Sequence, residues 1–192
     1  YGLTQALLQI PLGMASDRWG RKRIIQAGLA LFAIGSLVAA WAPTLEWLTL
    51  GRALQGAGAI SAAVTALLAD LTRDAVRTKA MALVGISIAL TFALSLVVAP
   101  PLVAAVGLGG LFVLTAVLAL LGMWMVARVV PPEPPRLLAA PRASLRTVLL
   151  DARLARLNLG VFMLHAVQLA LWVALPALLL QAGLEAAHHG WV

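Results

Sequence analysis

Three places in this sequence carry residue types able to do chemistry. The stretch GMASDRWGRKR (Gly13–Arg23) gathers Asp17, Arg18, Arg21, Lys22 and Arg23 between two apolar runs. Arg52 lies inside an apolar run, in GRALQGAG, and His165 with Gln168 lies inside another, in FMLHAVQLALW. A compact charged turn can hold helix ends and anions, an arginine at membrane depth needs a cavity or a partner, and a histidine can relay protons. Enzyme chemistry has no footing. There is no nucleophile with an adjacent base, no phosphate loop and no His/Asp/Glu cluster of metal-ligand spacing. Cysteine is absent, which removes disulfides and thiolate sites, and no cofactor or metal is expected.

The elements that must position these residues are long and apolar. The chain has 192 residues, of which 62% are hydrophobic and 11% charged, and its mean hydropathy is +1.00. Five runs (Ile24–Trp41, Trp47–Ala69, Ala80–Val103, Leu108–Ala127, Leu157–Leu180) each approach the roughly 20 residues that cross a bilayer. They are apolar on nearly all faces, and they lack the period-two alternation of barrel strands. The expected fold is all-α, a polytopic transmembrane helical bundle. A sixth, partial run at the start reads as the second half of a span, so the sequence reads as an internal piece of a larger protein.

Punctuation divides these runs. The charged loop is expected at Ser16–Arg23, a turn at Ala42–Thr44 between Trp41 and Trp47, and one unbroken third helix through Arg52 to Asp70. A break is expected at Pro100–Pro101, with the next helix starting near Leu108. The proline-rich stretch at 131–156 is the one strong shift in composition. Within it, SLRTVLLDARLARL from Ser144 reads either as a short interfacial helix or as a solvated linker.

The net charge of +7 is distributed by topology. Of the 14 Lys and Arg residues, 13 lie in or beside the loops at 16–23, 73–79 and 128–156, and Arg52 alone lies inside a span. The connections at Ala42–Glu46 and Ala104–Gly110 have none. This pattern places the basic loops in the cytoplasm of a plasma (inner) membrane protein, against anionic lipids, and argues against nucleic acid as a partner.

Gly13, Asp17, Arg18, Gly20, Arg21 and Lys22 fit the spacing G-x-x-x-D-R-x-G-R-K, which resembles the signature loop of the major facilitator superfamily. Arg52, Gln55 and Gly56 are similar to its R-x-x-Q-G pattern. Ala15 and Ser16 depart from the usual Leu and Ala. The resemblance covers essentially the whole chain, as helices two to seven of a twelve-helix, two-half architecture. It implies that 1–130 is part of the N-terminal half, that 131–156 is the central linker, and that 157–192 is the first helix of the C-terminal half with its outer loop.

For the residues, the resemblance implies that the charged cluster latches the two halves when the cytoplasmic side is closed. Gly13 and Gly20 would allow close approach and a sharp turn, Asp17 would accept N–H groups at another helix start, and Arg21 would find an anion in Asp70. Arg52, with Gln55 and Gly56, would join a proton-coupling or gating network; the alternative is structural bonding to carbonyls. Ser95, Ala99 and Pro100 form a degraded version of the antiporter branch's G-x-x-x-G-P pattern, which favours export. His165 and Gln168 are candidates for a cavity or proton relay, or for ordinary packing, while His188 and His189 fall in the outer loop. The function expected is export of small lipophilic or amphipathic molecules in exchange for protons by alternating access, with no need for oligomerisation. The alternative is a uniporter or symporter for a polar metabolite, and a membrane enzyme or scaffold is less favoured.

Overall fold

The computed structural model describes residues 1–58, 60–133, 147 and 150–181, and the chain divides into two units, Tyr1–Pro135 and Arg136–Val192. All elements of the described residues are helices: α1 (Gly2–Trp19), α2 (Arg21–Ala40), α3 (Leu45–Ala57), α4 (Ser61–Leu71), α5 (Asp74–Arg128) and, in the second unit, α6 (Ala152–Gln181). The fold is thus the expected all-α bundle, with helices long and apolar enough to cross a membrane.

Within the first unit α2 is the central element, packing against α1, α3, α4 and α5. Its contact with α3 is made backbone to backbone. A Cβ added to Gly35 would lie 2.6 Å from the Gln55 nitrogen, and one added to Gly51 would lie 2.8 Å from the Gly35 carbonyl oxygen. The same antiparallel crossing recurs two turns away, where a Cβ on Gly58 would lie 2.5 Å from the Gly28 carbonyl oxygen. Glycine pairs at matching heptad spacing on both helices let the two axes approach this closely.

The structure changes three boundaries expected from sequence. The charged stretch is helical except at Gly20, whose φ of 102° turns the chain between α1 and α2. Only glycine enters that region without strain. The third span is described as two helices, α3 ending at Ala57 and α4 starting at Ser61, and Gly56 and Gly58 supply two poor helix formers at the end of α3, next to the α2 crossing. Helix α5 does not break at Pro100–Pro101 but continues through them to Gly107, where φ 71° and ψ 173° leave the helical region. Its 55 residues, about 80 Å if straight, thus form two limbs, 74–106 and 108–128. Hydrocarbon penalises an open backbone so strongly that a helix runs through proline where water would let it end. The second limb lies beside α2: a Cβ on Gly109 would lie 2.9 Å from the Ala40 carbonyl oxygen, and one on Gly122 would lie 3.6 Å from Leu29.

At the end where α1 meets α2, Ile24, Ile25, Ala63 and Leu67 form a buried cluster, with Leu12, Ala15, Val126 and Val130 against it. Of these, Ala15, Ile24, Leu67 and Val130 lie two or three positions from Asp17, Arg21, Asp70 and Glu133, respectively. Burying them is what assembles the charges above them. In the second unit, Asp151 caps α6, its Oδ1 accepting from the Arg153 and Leu154 N–H groups at 2.7 and 3.2 Å. The stretch of the interfacial-helix expectation, 144–157, is described only at Thr147 and from Leu150 on, where from Ala152 it belongs to α6; its other residues, and His188 and His189, lie outside the described residues.

Candidate functional site

The charged end of the first unit is organised around Arg21. Its Nη1 lies 2.9 Å from Asp17 Oδ1, one helical turn back across the Gly20 bend, and its Nε donates to Asp70 Oδ2 at the end of α4. The same Nη1 reaches Ser16 Oγ at 3.4 Å, and the fully buried Ser16 donates to the Gly13 carbonyl at 2.6 Å. The Arg21 side chain is 15% exposed, against 53% for Asp17 and 37% for Asp70. A planar guanidinium suits this role because it satisfies two carboxylates from different helices at once. Beyond α4, Arg77 bonds the carbonyls of Ala69 and Thr72 at 3.3 and 3.5 Å and pairs with Asp74 at 2.6 Å, which closes the end of that helix.

Two members of the signature stretch behave differently from the sequence expectation. Gly13 makes only ordinary contact, since an added Cβ would meet Ala62 Cβ at 3.5 Å. Lys22 turns away from the acids: its Nζ donates to the Val130 carbonyl at 2.8 Å, and its backbone N–H donates to Glu133 Oε1 at 2.6 Å. Arg18 stays exposed. Sequence reasoning passed over Glu133, which lies 111 positions from Lys22 in a proline-rich stretch.

The second group lies on α3. Arg52 Nη1 donates to Gln55 Oε1 at 2.7 Å, Gln55 Nε2 donates to Ser36 Oγ at 2.6 Å, and Ser36 donates to the Phe32 carbonyl at 2.8 Å. Gln55 and Ser36 are buried, so this is one directional chain from α3 into the backbone of α2. The Arg52 guanidinium also lies over the rings of Tyr1, 4.8 Å from its centroid, and Phe112, 5.9 Å away. Its partners are therefore an amide and two aromatic faces, which the sequence reading did not consider. Gly56 lies against α1, where a Cβ would come within 2.2 Å of the Tyr1 carbonyl oxygen and of Thr4 Oγ1.

Between α1, α2, α4 and both limbs of α5 is an open groove of about 550 Å³. Leu29, Phe32, Ile60 and Leu118 make its wall mostly apolar, and Gln5 and Thr65 are among its few polar groups. Gln9, one turn beyond Gln5, donates to Ser61 Oγ at 2.6 Å, while its Oε1 is buried without a hydrogen-bond partner.

The remaining sequence candidates are scattered. Ser95 lies on the first limb of α5, where its hydroxyl donates to the Thr91 carbonyl at 2.7 Å. It ends a ladder in which Thr91 donates to Ser87 and Ser87 to Leu83 in the same way, each at 2.8 Å. Ala99 and Pro100 follow within continuous helix. His165 and Gln168 lie on α6, in the second unit, and His165 Nδ1 is 2.9 Å from the Val161 carbonyl oxygen of its own helix.

Comparison with known proteins bears on what such an arrangement serves. A family model described as Major Facilitator Superfamily matches residues 1–192. The inner membrane transport protein YajR of Escherichia coli K12 is 47% identical over 193 residues, covering 98% of this chain and 42% of that protein. An uncharacterized transporter of Buchnera aphidicola subsp. Schizaphis graminum is 35% identical over 196 residues, covering 100% of this chain and 50% of that one. A triacylglyceride transporter of Mycolicibacterium smegmatis is 48% identical over 80 residues, covering 41% of this chain and 14% of that one. The chain therefore spans half or less of the length of these relatives.

Proposed function

Because the chain belongs to the major facilitator superfamily, we propose that it is the part of a secondary active transporter that exports small lipophilic or amphipathic molecules in exchange for protons. The chain is a membrane transport protein rather than an enzyme, as its family and relatives are. The observation that carries the finer reading is the groove, whose apolar wall of Leu29, Phe32, Ile60 and Leu118 suits an apolar cargo and whose few polar groups fix orientation. The triacylglyceride transporter among its relatives, named for a lipophilic cargo, supports the same class.

Alternating access supplies the mechanism. The Asp17–Arg21–Asp70 group is proposed to lie on the cytoplasmic side, where the basic loops cluster, and to stabilise the state closed on that side. Tyr1–Val130 is proposed as part of the N-terminal half, with 131–156 as the linker and 157–192 opening the second half. Cargo and protons then shift the balance only through different affinities for the two states. Arg52, fixed by Gln55 and backed by aromatic rings, is proposed as the group through which protonation is felt in the groove. His165 and Gln168 remain proposed relay residues, and Ser95, Ala99 and Pro100 a proposed export-type helix surface.

The test is tracer flux through the full-length protein in liposomes, comparing lipophilic cations and neutral amphipaths with sugars and amino acids. Flux of the amphipaths alone is expected. Flux of the polar solutes alone would contradict the proposal and favour a uniporter or symporter.

A further inference from the structure

Two helix ends meet at the charged turn with opposite electrostatic signs. The first turn of α2 presents unpaired N–H groups, and Gly20, its N-terminal flank, has no side chain to cap them. Just past the C-terminus of α5, the Val130 carbonyl presents an unpaired oxygen at the negative end of that helix. Lys22 and Glu133 meet both needs. The Lys22 ammonium, carried by α2, donates to the Val130 carbonyl at 2.8 Å, and the Glu133 carboxylate, carried by the chain leaving α5, accepts the Lys22 backbone N–H at 2.6 Å. Each helix thus caps the other, and each charge lies at the dipole end that favours it.

We propose that Lys22 and Glu133 form a reciprocal cap that joins the start of the segment after α5 to the N-terminus of α2, and that Glu133 thereby positions Arg21 for Asp17 and Asp70. Gly20 brings the turn itself beside the carboxylate: Glu133 Oε1 lies 3.5 Å from where its Cβ would be, an ordinary contact, and it is the φ of 102° that calls for glycine. Arg21 and Lys22 are the first two residues of α2, so anchoring one backbone N–H orients the other's side chain. The carboxylate also offsets part of the repulsion among Arg18, Arg21, Lys22 and Arg23. The consequence for transport rests on the proposed latch, whereas the cap itself does not.

The test is amide hydrogen exchange of the full-length protein in lipid nanodiscs, reading residues 21–25 relative to residues 27–34 of the same helix. Glu133→Ala is expected to raise the relative exchange about fivefold, and Glu133→Gln, which keeps an acceptor, by less. Unchanged exchange in Glu133→Ala would overturn the cap. The double exchange Lys22→Glu with Glu133→Lys separates this cap from an ordinary ion pair. A reciprocal cap is not rescued, because both charges then oppose the helix dipoles, whereas recovery of wild-type exchange would overturn the proposal. Asp17→Asn distinguishes the cap from the latch: it is expected to leave exchange at 21–25 unchanged even while it alters access at the charged end. If access does not change but Glu133→Ala still shows its effect, the latch fails and the cap stands.

Discussion

Arg21 joins two carboxylates that the chain delivers from different helices, with Nη1 2.9 Å from Asp17 on α1 and Nε on Asp70 at the end of α4. The contact ties together three helix ends whose apolar neighbours are already buried. Part-exposed ion pairs contribute little to global stability, about 1 kcal/mol or less. Their effect is felt instead in the balance between two arrangements of similar energy.

Asp17→Asn and Asp70→Asn are therefore expected to leave folding intact but to shift that balance toward opening at the charged end. These 192 residues hold no cysteine, so a reporter cysteine replacing the exposed Trp19, in full-length protein cleared of any other cysteine, gives a clean readout. Maleimide labelling severalfold faster in either variant is the expected result; an unchanged rate would contradict the proposed latch.

The α2–α3 crossing should tolerate no added methyl. Gly35→Ala drives a Cβ to within 2.6 Å of backbone, and overpacking of this kind costs about 1–3 kcal/mol. Gly13→Ala meets only a methyl at 3.5 Å, and alanine favours a helix by up to about 1 kcal/mol. Thermal unfolding in detergent should show a lower midpoint for the first variant and an equal or higher one for the second.

Gln55→Leu removes the acceptor of Arg52 and the donor to buried Ser36 together. Exposed Arg52 can turn to water, whereas buried Ser36 loses one of its two hydrogen bonds, worth about 1 kcal/mol, so a fall in thermal midpoint is expected. Gln55→Glu keeps the acceptor for Arg52 and should retain more transport activity than the leucine variant.

The prolines and Gly107 exchange their expected importance. Gly107→Ala forces a side chain to φ 71°, ψ 173°, a region almost confined to glycine, though in open space, a conformational cost of about 1–3 kcal/mol. Pro100→Ala leaves the helix continuous and should cost less. The reverse order of midpoints would contradict the placement of the bend.

Much of the charged end was legible in the sequence, because Asp17, Arg21 and Asp70 lie at the ends of apolar runs that the charge pattern brings to one side. The helical class and most spans were legible for the same reason. Glu133 was not, because capping another helix from 111 positions away depends on which ends tertiary packing brings together. The separation of α3 from α4 was hidden by an apolar run of spanning length, in which nothing marks the close approach of Gly58 to Gly28. The partners of Arg52 were missed because a search for counter-charges overlooks an amide held by a buried serine. The bend near the prolines was misplaced because proline's helix-ending habit belongs to water.

The central claim is exchange of cargo for protons, and internal pH is its most direct measure. The full-length protein would be placed in liposomes with an imposed pH gradient, amphipathic compounds added, and Arg52→Ala run beside the wild type. Proton movement that depends on the compound and is lost in Arg52→Ala is the predicted result. Compound flux without any proton movement would contradict it.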